Sequence, residues 1–247
     1  MTKVVALYNI KGGVGKTSTS VNLAWLAAAG GARTLLWDLD PQAAATYLLR
    51  VKPKVKGGAR KLVAGKTTAA SQLKGTDNEL LDLLPADFTY RNMDLELGEV
   101  KRPTKTLARV LAPIRRRYEY VFLDCQPAIS LASESVFGAA HVLLVPLIPS
   151  PLSLRTFEQL SEFVASEVPK PPEILVFFSM VDGRKRLHRE VIEELSATHP
   201  GVLASVIPAA SDIERMSLDR RVLAQTAPRS RAGQAYEALW SELRARL

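Results

Sequence analysis

The chain has 247 residues, 47% of them apolar and 23% charged, proportions that suit a folded domain with a sizeable core and argue against bulk disorder. One cysteine, Cys125, excludes an intramolecular disulfide and a multi-cysteine cluster, and the three histidines, His141, His188 and His199, are too far apart in sequence to form a metal-ligand motif. The net charge of +8 is local in origin: between Asp40 and Asp77 there is no acid but eight bases, Arg50, Lys52, Lys54, Lys56, Arg60, Lys61, Lys66 and Lys74, and the rest of the chain balances at 25 bases to 25 acids. Such a surplus suits a polyanionic partner, or a solvated loop whose charge aids solubility only.

In chain order, strands alternate with helices. Lys3–Asn9 is a short apolar run into a Gly-rich turn, with no signal peptide before it. Lys16–Ala29 reads as a helix closed by Gly30-Gly31, Ala32–Trp37 as a buried strand, and Pro41–Leu49 as a helix with proline in its first turn. Residues 50–76 read as a loop with short helices. Then follow a strand at Leu80–Leu84, a helix at Thr104–Arg117, strands at Tyr120–Asp124 and His141–Pro146, a helix at Ser153–Glu167 and a strand at Ile174–Val181. A helix at Leu187–Ala197, a last strand at Val202–Ile207 and a helix at Arg231–Leu247 complete the chain. Strands apolar throughout and separated by helices predict one α/β domain, doubly wound, with a mostly parallel sheet covered on both faces. No apolar run reaches the ~18–20 residues that span a bilayer.

The strongest motif, Lys11-Gly12-Gly13-Val14-Gly15-Lys16-Thr17-Ser18, lies between the first strand and the first helix. Glycines let successive N–H groups turn inward around phosphate oxygens, and the helix adds its positive end. In this arrangement Lys16 pairs with the β and γ phosphates of a nucleotide, Thr17 ligates Mg²⁺ and Ser18 reaches the α-phosphate. The strict phosphate-loop pattern fails at Ile10, which stands where it requires glycine, and a second lysine, Lys11, opens the loop. Downstream, period two puts Asp38 and Asp40 on one side of an extended chain at the carboxyl edge of the sheet, where ligands of such folds bind. Val121-Phe122-Leu123-Asp124 is an apolar strand ending in an acid suited to Mg²⁺, while Cys125 reads as a small buried side chain rather than a nucleophile.

These residues resemble the ParA/MinD family of P-loop NTPases with a deviant Walker A loop, and Asp38-Leu39-Asp40-Pro41-Gln42 matches that family's switch, favouring its ParA-like branch. Leu83-Leu84-Pro85-Ala86, Met180-Val181-Asp182-Gly183-Arg184, Val206-Ile207-Pro208 and Pro228–Gly233 extend the likeness over nearly the whole chain, residues 50–76 excepted. The resemblance implies a Mg²⁺-dependent ATPase that forms an ATP sandwich homodimer, with Lys11 crossing to the partner's nucleotide. It further implies that Asp40 orients the attacking water, that Asp38 and Asp124 serve the metal, and that Met180 and Pro208 touch adenine. Ser150, Ala209 and Ala210 depart from the family pattern and suggest a subgroup with its own partner, and Gln126 stands where the family has the first proline after the strand-end acid segment.

The same resemblance implies non-specific binding to nucleoid DNA in the cytoplasm, positioning of a plasmid, chromosome origin or protein organelle such as a carboxysome, and an adaptor protein that stimulates slow hydrolysis. Candidate phosphate-binding residues are Arg184, Lys185, Arg186, Arg189, Arg215, Arg220 and Arg221, with residues 50–66 as a further possibility. No DNA-reading domain precedes Met1, so sequence-specific autoregulation is not expected. Two alternatives stand. A MinD-like membrane ATPase would use the last helix as an amphipathic anchor, but Tyr236, Leu239, Trp240 and Leu243 suit core packing better. A metabolic ATP-dependent ligase on the same fold would need a substrate pocket beside the γ-phosphate.

Overall fold

The computed structural model describes every residue from Met1 to Leu247. Its elements, in order, are β1 (Lys3–Leu7), α1 (Lys16–Ala29), β2 (Thr34–Asp38), α2 (Ala44–Leu48), α3 (Gly58–Val63), β3 (Lys74–Gly75), β4 (Leu81–Leu84), α4 (Met93–Gly98) and α5 (Thr106–Leu111). There follow β5 (Tyr120–Asp124), α6 (Leu131–Phe137), β6 (Val142–Leu147), α7 (Pro151–Glu167), β7 (Glu173–Val181), α8 (Arg186–Thr198), β8 (Val202–Pro208), α9 (Ser211–Asp219), α10 (Leu223–Thr226) and α11 (Arg231–Arg246).

The strands form one eight-stranded sheet in the order β3-β4-β2-β5-β1-β6-β7-β8, parallel except for the short β3, which runs antiparallel to β4. The doubly wound, mostly parallel sheet expected from the alternation is therefore present. Period two sorts the side chains. Val4 and Ala6 of β1, Leu143 and Val145 of β6, and Val176 and Phe178 of β7 enter one core layer under α3–α8. Val5 and Leu7, Val142 and Leu144, and Leu175 and Phe177 enter the other, under α1, α2 and α9–α11. Helix α11 spends its apolar face on that second layer, with Tyr236, Leu239 and Leu243 almost fully buried. No helix is long and apolar enough to cross a membrane.

Three expectations change. The helix expected at Thr104–Arg117 stops at Leu111, because Pro113 cannot continue it, and Arg115–Arg117 forms only a 3₁₀ turn. The helix expected at Pro41–Leu49 contracts to Ala44–Leu48, with Pro41 and Gln42 in a turn. Residues 50–76 carry short helices, as expected, but also the unexpected strand β3, and they pack on the core. Val55, Ala59, Leu62, Val63 and Ala69 are buried, and Arg109 Nη2 donates to the Val63 carbonyl at 2.7 Å.

Candidate functional site

The site forms where the loops after β1, β2 and β5 leave the carboxyl edge of the sheet. Register sets its floor: Leu7 pairs with Asp124, and Asp38 pairs with the same Asp124 from the other side. Three strand ends thus stop at one level, at the crevice where such sheets bind ligands. The loop from Asn9 to Ser18 rises above them. Gly13 and Gly15 have φ of 70° and 90°, left-handed values that glycine adopts without strain. A Cβ on Gly15 would also come within 3.0 Å of Ser179 Oγ. Asn9 braces the loop: its Nδ2 donates to the Pro146 carbonyl at 2.7 Å and its Oδ1 accepts the Lys11 N–H at 2.8 Å. The Lys16 ammonium spans the turn, donating to the carbonyls of Asn9 at 3.2 Å and Lys11 at 3.0 Å. Burial lowers its pKa, and the neighbouring Asp124 charge opposes that fall.

Gly12, Gly13, Val14, Gly15, Lys16, Thr17 and Ser18 line one cavity of about 300 Å³, which Asp40, Pro127 and Met180 complete. Met180 has φ of 54° beside an irregular stretch of the β7–β8 pairing, so a strained residue faces the cavity. Pro208 is buried opposite Val181 and does not line it. The Lys11 side chain is exposed, and its ammonium makes no hydrogen bond or ion pair within the chain.

The three acids differ. Asp40 is partly exposed and accepts the Gln42 N–H at 2.8 Å, which shapes the turn after β2. Asp38 has no exposed surface: Oδ1 accepts the Asp40 N–H at 3.1 Å, and Oδ2 accepts the Thr46 N–H at 2.8 Å and the Thr46 hydroxyl at 2.7 Å. Both oxygens are thus hydrogen-bonded, Oδ1 within the turn after β2 and Oδ2 to Thr46 of α2. Asp124 is also fully buried. Its Oδ1 accepts the Ser20 hydroxyl at 2.9 Å, while Oδ2 has no hydrogen-bond partner. Burial, then the neighbouring Asp38 charge, pushes its carboxyl well up. Burial likewise raises the Cys125 thiol well above its usual range, so it stays protonated, as suits a packing side chain.

An orphaned carboxylate oxygen beside a cavity lined by Thr17 fits a hard cation, which takes oxygen ligands. Ser20, Asn9 and Pro127 were not singled out from sequence. Ser20 sits four residues after Lys16 on the same helix face, a spacing that could have marked it.

The basic candidates divide. Arg184 makes a two-pronged pair with Asp182 at 2.9 and 3.0 Å, Arg186 pairs with Glu190 at 2.6 Å, and Arg189 donates to the Gly183 carbonyl at 3.0 Å. Arg220 lies over the Tyr47 ring, 4.3 Å from its centroid. Lys185, Arg215 and Arg221 are exposed and make no ion pair within the chain.

A family model described as an AAA domain matches residues 2–170. The chain is 30% identical to the sporulation initiation inhibitor protein Soj of Bacillus subtilis, over 99% of both chains. It is 33% identical to the chromosome partitioning protein ParA of Caulobacter vibrioides, over 83% of this chain and 80% of that one. Its fold is similar to a crystal structure of cobyrinic acid a,c-diamide synthase from Mycobacterium smegmatis with bound ADP and magnesium, at a TM-score of 0.82 and 26% identity, covering 98% of this chain and 94% of that one. With a phosphate loop, a switch turn and a buried strand-end acid assembled at one sheet edge, and with partitioning proteins matched along its length, the chain belongs to the ParA family of ATPases.

Proposed function

We propose that the chain hydrolyses ATP with Mg²⁺, dimerises around the nucleotide, binds DNA without sequence preference in the dimeric state, and positions a cargo with the help of a stimulating adaptor. The carrying observation is the pairing of a buried Lys16 within the phosphate loop and an exposed Lys11 whose ammonium has no partner in its own chain. The loop amides and Lys16 would hold the phosphates, Thr17 and Asp124 would hold Mg²⁺, and Asp40 would orient water. The metal would neutralise charge developing on the phosphate oxygens. Asp38 would act through Thr46, fixing the turn that carries Asp40. Lys11 would supply a cation in trans, so that hydrolysis and dimer state depend on each other.

The test compares ATP, ADP and no nucleotide in a DNA-retention assay alongside light scattering. ATP should produce the dimer and the DNA-bound state together. Lys16→Ala should abolish nucleotide binding, whereas Lys11→Ala should keep nucleotide binding and lose the dimer. Equal DNA retention without nucleotide would sink the mechanism.

A second reading, ATP-dependent amide formation, draws on the likeness to the cobyrinic acid a,c-diamide synthase. It requires phosphate release that depends on a small carboxylic acid, and ATP turnover by the chain without such an acid excludes it.

A further inference from the structure

A second cavity, about 720 Å³ in volume, is larger than the one at the phosphate loop. It lies in the segment from Arg50 to Gly75, at the β3 edge of the sheet. The loop follows β1, four strands further in, roughly 19 Å away at ~4.8 Å per strand. Five cations line the cleft, Arg50, Lys52, Lys54, Lys56 and Lys74, and no acid does. Arg50 already has a counter-ion in Asp77, but the four lysines pair with no acid.

The cleft is built, not a chance gathering of loose side chains. Gln72, buried to 2% exposure, ties its two walls: its Oε1 accepts the Lys56 N–H at 2.7 Å, and its Nε2 donates to Thr67 Oγ1 at 3.0 Å. The Val55 N–H donates to Asp87 Oδ2 at 2.8 Å, so the lysine-bearing wall is also anchored from behind. Four ammonium groups held around one concavity repel one another, and a multivalent anion relieves that repulsion.

The lining narrows the kind of anion. Carboxylates are best recognised by the two-pronged arginine fork, whereas lysine acts as a point charge suited to phosphate. The single arginine here is taken by Asp77. No aromatic ring lines the cleft to stack a nucleobase, and Val51 is its only apolar residue, which leaves no pocket for peptide side chains. We propose that the cleft binds a linear inorganic polyphosphate chain, recognised through its phosphates alone. The proposal stands apart from the nucleotide reading, because none of its residues touches the phosphate loop.

The probe is a fluorescently labelled inorganic polyphosphate, titrated with the full chain by anisotropy at fixed salt. Wild-type protein should bind it. The double reversal Lys54→Glu with Lys74→Glu should weaken binding by about tenfold or more, as loss of phosphate contacts does, and the milder Lys54→Gln with Lys74→Gln should fall between. Lys16→Ala should leave binding unchanged, which separates this site from the nucleotide site. Arg116→Glu with Arg117→Glu, an equal charge change on an exposed turn elsewhere, should also leave it unchanged. The proposal is overturned if that control reversal weakens binding as much as the cleft reversal does, since net charge would then suffice. It is equally overturned if poly-glutamate, a single-stranded oligonucleotide or duplex DNA of matched charge binds as tightly with the same dependence on Lys54 and Lys74.

Discussion

In Asp124 one carboxylate oxygen accepts from Ser20 and the other has no well-formed hydrogen bond, in a position with no exposed surface. A buried, half-satisfied carboxylate beside a second buried carboxylate is costly in the metal-free protein, and its raised pKa records that cost. The sign follows from linkage. A carboxyl whose folded pKa lies above its unfolded value contributes most stability below the unfolded pKa, and that contribution is lost as pH rises through the folded pKa. Metal-free wild-type protein should therefore lose thermal stability between about pH 6 and about pH 8, above the ordinary carboxylate range. Asp124→Asn keeps the shape and an acceptor for Ser20 without the charge. In a chelator it should melt roughly 2–4 °C higher than wild type near pH 8, the shift that ~1 kcal/mol makes in a chain of this size, while ATP hydrolysis is lost. Equal melting curves for the two proteins across that range would remove the charge cost from the account. Asp38, burdened by burial in the same direction, differs in being fully hydrogen-bonded, which suits a holding role.

Among the elements, α2 depends most on a single side chain. It has five residues and no side-chain cap, too short to persist alone. Thr46 fastens it: its N–H and hydroxyl both reach Asp38, and its hydroxyl oxygen accepts the Ala86 N–H at 3.1 Å, so β2, α2 and the turn after β4 meet at one residue. Thr46→Val should cost about 1–3 kcal/mol in denaturant unfolding, because the hydroxyl's bond to a buried carboxylate and the acceptor of the Ala86 N–H are lost together, and Thr46→Ser should restore most of it. Full stability in the valine variant would mean that the Thr46 hydroxyl does not hold α2 in place. This knot was not legible in the sequence, where Thr46 sits inside an alanine-rich run without any motif. Seven of the eight strands were legible, because each is an apolar run between breakers, whereas β3 is two exposed residues, Lys74 and Gly75. The phosphate loop was legible, because its glycines and lysines answer to one local geometry. The position of helix α3 was hidden by context: Ala59, Leu62 and Val63 have helical spacing, but glycines flank them and lysines surround them. Helix α9 buries only Met216, so no apolar stripe announced it, and α6 begins with a Ser130–Ser133 capping box that lacks the usual acidic partner.

Across the whole molecule the basic groups fall into two territories with different readiness to bind. The surplus lysines line the cleft at the β3 edge, and Arg184, Lys185, Arg186 and Arg189 follow β7, six strands away. At the carboxyl edge beyond β7 two guanidinium groups are already spoken for, Arg184 by Asp182 and Arg186 by Glu190. The Arg184 partner holds the Asp182 carboxyl well below the usual carboxylate range, so Asp182 stays ionised at any ordinary pH. If this edge carries the DNA contact proposed above, Arg184 must release Asp182 before it can neutralise a phosphate. Asp182→Asn removes the competitor but still offers an oxygen to the Arg184 N–H that closes the turn. It should strengthen ATP-dependent DNA retention and steepen the logarithmic salt dependence by about one unit, as one added phosphate contact does. Asp219→Asn, on exposed α9, removes the same charge and frees no arginine, so it should change retention far less. Equal gains from the two variants would mean that net charge alone governs DNA affinity, and Arg184 would lose its place in the interface.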